Sequence, residues 1–395
     1  MSRCAALFSK ESIVPFFLAL FAFTAFNPFY LWGFYFSSLI KFFFDIAFIL
    51  FFLFLFLFYG VNRKGFLILP FVLIYGVARY FPVYDYFTLI SFLGWFVKII
   101  FFLFAPFCLI QRSMVYFSGI LGFFGFFSIF AFLQVGFFGK AFFTFELINP
   151  YPAKLMLEQH YLGFIGGSYL PYLVKCTDYF CFSRMNGAFD EPGLWGTVCA
   201  LYLIGARFDL KPVSNKLIFF SGLITFSLAF YFLIFLAILF SSRRNLIAIY
   251  LVSLLLIYFI MPGYFNDFIL SRLNFSHFIF ERSSGELLHL YLNSGVREII
   301  FGHGYLSSLG FALGESSWLI FLYEGGFFLV VMTFVVYFAS LFFLKGRFVF
   351  SLFLACLFMS FFQRPEIVWV GYFYLFLLSV YSSRCGECSV IRETA

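Results

Sequence analysis

Long continuous runs of apolar residues limit this chain to very few folds. Phe alone supplies 75 of the 395 residues, hydrophobic residues make up 64% of the chain, and charged residues only 11%. A soluble domain has about 25% charged residues. Continuous runs rather than alternating segments favour α-helices over a barrel, and helices satisfy their own backbone hydrogen bonds in lipid. The sequence therefore predicts an all-α polytopic protein, with residues 1–395 forming one integral membrane domain.

Basic residues at the ends of the apolar runs predict how the chain crosses the bilayer. Arg3 and Lys10 place the N-terminus in the cytoplasm, because short cytoplasmic segments are rich in Lys and Arg. Spans of about 20 residues are then expected at 13–32, 37–59, 66–82, 86–110 and 113–137. Two long polar stretches, 139–192 and 263–316, become large extracytoplasmic loops.

The apolar run 217–241 resembles one helix, yet both of its flanks are basic. Lys216 precedes it and Arg243 follows it, so an even number of crossings is needed to keep both flanks inside. The segment around Thr225-Phe226-Ser227 predicts a break into two short helices. With later spans at 193–207, 246–262, 317–344, 347–362 and 367–382, the chain has about twelve membrane helices and cytoplasmic termini. Without the break it has eleven, and the second loop lies on the opposite side.

The first polar stretch ends in the motif RMNGAFDEPGLWG, residues 184–196, directly before an apolar run. Pro192 is typical of a helix start, and acidic residues are favoured at the positive end of the helix dipole. One interpretation is a helix cap with an interfacial arginine. The other is a functional one, in which Arg184 presents a planar donor fork to a phosphate and Glu191 holds it or acts as a base.

The second polar stretch contains Gly302-His303-Gly304, where the glycines leave room for a ligand beside the imidazole. His303 is either a solvated loop residue or a general base near neutral pH. Charges inside or near the predicted spans are also costly and therefore of interest. Arg79 and Arg364 lie near the predicted outer surface, within reach of the same cavity as the loops, and Glu324 lies about two turns into its span.

Other classes of function have little support. The four histidines lack the close spacing of zinc ligands, so no metal is expected. The chain has no GxxxxGK[ST] or GxGxxG motif, so no nucleotide cofactor is expected. The +7 net charge is scattered at helix ends, which does not indicate nucleic-acid binding. Cys176 and Cys181 are expected either to form a disulfide in an oxidising compartment or to remain free thiols.

Together these segments resemble the O-antigen polymerase (Wzy) family of bacterial inner membranes, and more distantly the O-antigen ligase. The resemblance depends on RMNGAFDEPGLWG, on SGELLHLYLNSGVREIIFGHGY (residues 284–305) and on the following run ESSWLIFLYEGGFF. Family members often have an arginine after the glycine that corresponds to Gly285. This chain has Glu286 there, and Arg282 is the nearest substitute.

The resemblance implies a metal-independent membrane glycosyltransferase of lipopolysaccharide or other surface polysaccharide biosynthesis. Its partners would be undecaprenyl-diphosphate-linked oligosaccharide units, the lipid bilayer and a chain-length regulator protein. Cations are needed where charge develops on the departing diphosphate, and a base must accept the proton of the attacking hydroxyl. The expected base is His303, with Glu191 as the second choice. The expected substrate-binding cations are Arg184, Arg282, Arg297 and Arg364.

Two other activities fit the same architecture. A ligase would transfer the finished glycan to lipid A–core. A flippase or other transporter of lipid-linked oligosaccharides belongs to a different class, and transporters often have two related halves with a site at mid-membrane. No internal repeat is visible in this chain, and its polar residues gather in the two long stretches. These features favour the polymerase.

Overall fold

The structure is a computed structural model of the full chain. It describes residues 10–32, 37–80, 86–148, 160–176, 180–239, 286–305, 307–308, 317–344, 349–361 and 370–382, together with Leu255 and Tyr258. The described part is mostly helical. The chain divides into two compact units. Unit 1 comprises 1–44, 108–270 and 377–395, and unit 2 comprises 45–107 and 271–376.

Most of the apolar runs form helices close to their predicted bounds, and Gly60 lies in the turn that follows the run 37–59. The predicted boundary between 86–110 and 113–137 is wrong, because the chain breaks at Ala105-Pro106 and residues 110–113 lie inside a helix. The helices before the first polar stretch are α1 (Lys10–Thr24), α2 (Phe29–Trp32), α3 (Ser37–Tyr59), α4 (Gly65–Tyr80), α5 (Tyr86–Phe104) and α6 (Phe107–Phe138). The first predicted span, 13–32, is therefore interrupted after Thr24.

The later helices are α7 (Pro192–Gly205), α8 (Val213–Leu223), α9 (Leu228–Leu239), α10 (Glu286–Leu292), α11 (Val296–Phe301), α12 (Ser317–Phe343), α13 (Val349–Phe361) and α14 (Val370–Ser382). The predicted break in 217–241 is confirmed, because α8 ends at Leu223 and α9 begins at Leu228. The predicted span 246–262 lies outside the described residues, apart from Leu255 and Tyr258.

Two of the described helices, Phe107–Phe138 and Trp318–Phe343, are long and apolar enough to cross a membrane. The core helix of a soluble protein would be mostly buried, whereas only 44% and 39% of the most apolar windows of these two helices are buried. Large apolar side chains also stay exposed on shorter helices, among them Leu57 and Phe58 of α3. These surfaces are consistent with contact with lipid.

The first polar stretch contains β-structure, and the all-α prediction is corrected here. Residues 145–187 contain β1 (Phe145–Leu147), β2 (Tyr161–Phe164), β3 (Gly167–Tyr169), β4 (Lys175–Cys176), β5 (Cys181–Phe182) and β6 (Met185–Gly187). β1, β2, β3 and β6 form an antiparallel sheet in that order. A two-residue turn at Ile165-Gly166 joins β2 to β3, and Gly166 supplies the positive φ that a type II turn requires at its second central residue.

The sheet and the following helix share one aromatic core in unit 1. Phe189 packs edge-on against Phe26, and its ring also lies 5.9 Å from that of Trp195, the first large aromatic side chain of α7. Every residue of α7 is buried.

The β4–β5 hairpin is closed by a disulfide between Cys176 and Cys181, which decides between the two expectations for these cysteines.

Candidate functional site

In unit 2, the Gly-His-Gly segment of the second polar stretch docks on a break in helix α12. Gly326 has φ 64° and ψ −177° inside that helix, so the regular hydrogen bonds stop there. The carbonyls of Tyr323 and Glu324 would otherwise accept from residues four positions later. Instead they accept from the backbone N–H groups of His303 and Gly304, both at 2.9 Å.

Two glycines allow the backbones to approach so closely. A Cβ at Gly302 would collide with the carbonyl oxygen of Glu324, and a Cβ at Gly326 would collide with the carbonyl oxygen of Ile300. Both residues also have positive φ, which L side chains adopt at a cost. Gly302, one of the two glycines that suggested room for a ligand beside His303, therefore has a packing role as well.

A buried ion pair lies on the same stretch of α12. The Arg79 guanidinium donates to Glu324 Oε2 at 3.0 Å, and the Ser308 hydroxyl donates to Glu324 Oε1 at 2.6 Å. The Arg79 guanidinium also lies over the rings of Tyr305, at 5.0 Å, and Phe321, at 5.2 Å. Burial raises the pKa of the Tyr305 hydroxyl, and the Arg79 charge opposes that rise.

The His303 imidazole is half-buried and held on two sides. It stacks on Tyr323 with ring centroids 4.2 Å apart, and its Nε2 lies 2.8 Å from the Ser294 hydroxyl oxygen. Ser294 donates its one proton to the carbonyl of Leu290, so its oxygen accepts from His303 Nε2–H. The neutral ring then carries its lone pair on Nδ1, which becomes the basic nitrogen.

His303 and Arg297 line one open cleft of about 870 Å³. Its polar lining also includes Glu298, in the first turn of α11. The apolar lining comes largely from one face of helix α4, namely Leu73, Ile74, Val77 and Ala78, together with Phe301 and Phe328. The cleft therefore combines apolar side chains with a polar set made of Arg297, Glu298 and His303.

In unit 1, the Arg184 side chain is buried against the break between α8 and α9. Its Nε donates to the carbonyl of Thr225 at 3.0 Å. Thr225 stabilises the break with its own hydroxyl, which donates to Gly222 and accepts from the Ser227 N–H. The hydroxyls of Ser183 and Ser227, next to these residues in sequence, are buried without a protein partner. Arg184, which one interpretation of the sequence treated as an interfacial arginine, is therefore buried within unit 1.

Glu191 occupies the N-cap position of helix α7, as the Pro-Gly sequence predicts. Its backbone is extended, and its carboxylate makes no capping hydrogen bond. Nearby, the Asn186 side-chain amide donates to the Asp190 carbonyl at 3.2 Å. Glu191 is half-buried, and its charge lies at the positive end of the dipole of α7.

The predicted site residues thus fall into three groups. Arg184 and Glu191 belong to unit 1, His303 and Arg297 share the cleft of unit 2, and Arg282 and Arg364 lie outside the described residues. Of the other histidines, His160 and His289 are exposed, and His277 lies outside the described part.

Arg79 and Glu324 are both costly charges in apolar segments, but their pairing was not among the predictions from the sequence. The signal was present in the sequence, because two opposite charges in apolar helices are expected to find each other. Among the residues that the structure describes, no group of three or more His, Cys, Asp or Glu side chains is arranged to hold a metal ion.

Comparison with known proteins adds no assignment. No protein-family model, no curated protein and no solved structure matches this chain significantly.

Proposed function

We propose that this protein is a polytopic membrane glycosyltransferase that polymerises polyprenyl-diphosphate-linked oligosaccharide units on the extracytoplasmic face of a bacterial inner membrane. The observation that carries the proposal is the cleft of unit 2, whose lining combines apolar side chains with Arg297 and His303. A lipid-linked glycan has a long apolar chain and an anionic diphosphate head. The α4 face offers the apolar chain a wall of apolar side chains, and Arg297 offers the head a cation.

The chemistry that follows uses His303 as the base. Its Nδ1 accepts the proton of a sugar hydroxyl as the hydroxyl oxygen forms a bond to the anomeric carbon of the growing chain. The bond from that carbon to the diphosphate oxygen breaks, and the polyprenyl diphosphate leaves with the electron pair. Arg297 stabilises the charge on the leaving group. The Ser294 contact supports this role because, in the neutral ring, it assigns the proton to Nε2 and the lone pair to Nδ1.

The remaining sequence-predicted residues keep their proposed roles. Arg184, Arg282 and Arg364 contribute further positive charge for diphosphate groups, and Glu191 is the alternative base. In this proposal the chain spans the membrane about twelve times with cytoplasmic termini. The disulfide between Cys176 and Cys181 supports an extracytoplasmic first polar stretch, because disulfides persist in oxidising compartments.

The test is the pattern of surface glycan in cells that lack the gene and carry single variants. Cells without a polymerase display core plus one repeat unit, whereas wild-type cells display a ladder. His303→Ala and Arg297→Ala are expected to give the single-unit pattern with normal amounts of protein in the membrane. Arg63→Ala is the matched control, since Arg63 is an exposed arginine that does not line the cleft. Normal ladders from both cleft variants would contradict the site assignment.

The gene deletion also separates the polymerase from its relatives. Loss of a ligase leaves bare core while lipid-linked polymer accumulates. Loss of a flippase leaves no polymer and traps units on the cytoplasmic side. The flippase is the second candidate because α12 and the α8–α9 pair are interrupted helices, which transporters use at their binding sites. Purified protein in vesicles that elongates chains from units supplied on one face would exclude it.

A further inference from the structure

We propose that Arg79 is a positioning residue, which fixes the His303 segment for proton transfer through its ion pair with Glu324. The inference rests on the proposed function for the role of His303. The structural link between Arg79 and the His303 segment does not depend on the proposed function, because it is seen directly in the contacts of unit 2.

Glu324 holds the segment from both its side chain and its backbone. One carboxylate oxygen accepts from Ser308 and the backbone carbonyl accepts from the Gly304 N–H, so the two contacts bracket residues 304–308. The preceding residue, Tyr323, accepts from the His303 N–H and stacks on its ring. The orientation of the imidazole therefore depends on where this turn of α12 lies.

Arg79 connects this turn of α12 to helix α4. The guanidinium donates to the second carboxylate oxygen of Glu324, and its face covers Tyr305, a residue of the held segment. A planar guanidinium satisfies both contacts at once, by donating in its plane and stacking on its face, and a lysine ammonium cannot do so. Without Arg79, the Glu324 carboxylate would be a buried charge without compensation.

The pair positions residues rather than contacting substrate. Glu324 is 5% exposed, and both of its carboxylate oxygens already have partners. The cleft is lined by Leu73, Ile74, Val77 and Ala78 of α4 and by His303, but its lining includes neither Arg79 nor Glu324. A group with no access to the cleft acts on the reaction only through its neighbours.

The experiment compares Arg79→Met, Arg79→Lys and the double variant Arg79→Met/Glu324→Gln in full-length protein reconstituted in vesicles. Arg79→Met is expected to lower kcat about 100-fold, since displacement of a reacting group by about 1 Å has effects of that size. KM is expected to change less than about threefold, because Arg79 touches no substrate. Arg79→Lys should recover only part of kcat. Arg63→Met, in the turn before α4, is the control and should behave as wild type.

A second readout needs no activity. Diethyl pyrocarbonate modifies accessible imidazoles, and the rate at the peptide that contains His303 is measured by mass spectrometry. Arg79→Met should raise that rate about tenfold, because the Tyr323 stack and the Ser294 contact loosen. His289, exposed and outside the held segment, should react at its wild-type rate. The double variant removes the unpaired charge, so it should fold even if Arg79→Met does not, and its His303 should still react faster than in wild type.

The outcomes separate the two proposals. If KM rises while kcat and His303 reactivity stay at wild-type values, Arg79 binds substrate and the positioning role is wrong. If neither kinetic constant nor reactivity changes, the linkage itself is wrong. If reactivity rises as expected but the wild-type protein elongates no glycan, the positioning contact stands and the proposed function fails.

Discussion

Each unit contains an interrupted apolar segment, and the two interruptions are stabilised in different ways. At Ile224–Ser227 in unit 1, a freed carbonyl accepts from a charged side chain, because Arg184 Nε donates to Thr225. At Gly326 in unit 2, the freed carbonyls of Tyr323 and Glu324 accept from backbone N–H groups of the Gly-His-Gly segment. In both cases a polar stretch outside the helix supplies the donors.

The difference follows from how each break is built. A helix break in apolar surroundings leaves carbonyls that cost free energy unless they find donors. The Thr225 hydroxyl and the Ser227 amide already form hydrogen bonds within the unit 1 break. The Arg184 side chain then donates to the Thr225 carbonyl. α12 has Gly325-Gly326 at its break instead, and the freed carbonyls of Tyr323 and Glu324 accept from the backbone N–H groups of His303 and Gly304.

The largest expected effect comes from adding a methyl group to either Gly302 or Gly326, where the Gly-His-Gly segment contacts α12 in unit 2. Gly302→Ala and Gly326→Ala each force a Cβ into a backbone carbonyl oxygen at positive φ. We expect a loss of about 3–4 kcal/mol in unfolding free energy, with little folded protein in detergent. Thermal unfolding and the yield of monodisperse protein measure it. Gly119→Ala is the control, because nothing lies within 4 Å of its Cβ and helices favour alanine. A wild-type melting temperature for Gly326→Ala would contradict the docking of the two segments.

The two breaks also differ in what the sequence reveals. The unit 1 break was predictable because basic residues on both flanks of 217–241 demanded an even number of crossings, and Thr225 to Ser227 supplied the polar residues. The Gly326 break was not predictable from the sequence. Gly325-Gly326 lies in an otherwise apolar run, and no charge asymmetry requires an interruption there. The sequence of Gly302-His303-Gly304 indicated access for a ligand, but not backbone pairing with Tyr323 and Glu324, twenty residues further along the chain.

The candidate site was partly predictable for a related reason. Arg297 and His303 are six residues apart in one polar stretch, and the structure places both on the same cleft. Arg79 is more than two hundred residues from Glu324, and no local pattern connects them. The sheet in residues 145–187 was also missed, because its strands of two to four residues are too short for an alternating pattern to stand out.

A smaller loss of unfolding free energy is expected when the Arg184 side chain, which donates to the helix break in unit 1, is replaced. Arg184→Gln removes a charged donor and leaves the Thr225 carbonyl buried without its partner, which should cost about 2–3 kcal/mol. Thermal unfolding measures this, with exposed Arg63→Gln as the control expected within about 0.5 kcal/mol of wild type. Arg184→Lys keeps the charge but not the Nε donor, so its stability should lie between that of Arg184→Gln and that of wild type. Equal stability of the Lys variant and wild type would assign the effect to charge rather than to the hydrogen bond.

The polar stretch of unit 1 has a covalent constraint, and its removal should have a more modest effect. Replacing Cys176 and Cys181 together by serine opens a loop with a sequence separation of 5 residues. Short loops restrict the unfolded chain least, so the expected loss is about 2 kcal/mol. Unfolding of wild-type protein before and after reduction should reproduce the same difference. An unchanged unfolding temperature after reduction would mean that the disulfide contributes nothing to the stability of unit 1.

The smallest effect on stability is expected for a side chain beside the unit 2 contact, where backbone pairing provides most of the anchoring. Ser294→Ala removes one neutral hydrogen bond to His303 Nε2, at about 1 kcal/mol. Its effect on catalysis should exceed its effect on stability, because the imidazole loses the acceptor that keeps its proton on Nε2 and its lone pair on Nδ1. We expect kcat to fall about tenfold, measured as glycan elongation in vesicles. Ser307→Ala is the matched control, since that hydroxyl donates to the Gly304 carbonyl in the same segment without touching the imidazole. Equal losses of kcat in both variants would show that general disorder of the segment, and not the tautomer of His303, limits the reaction.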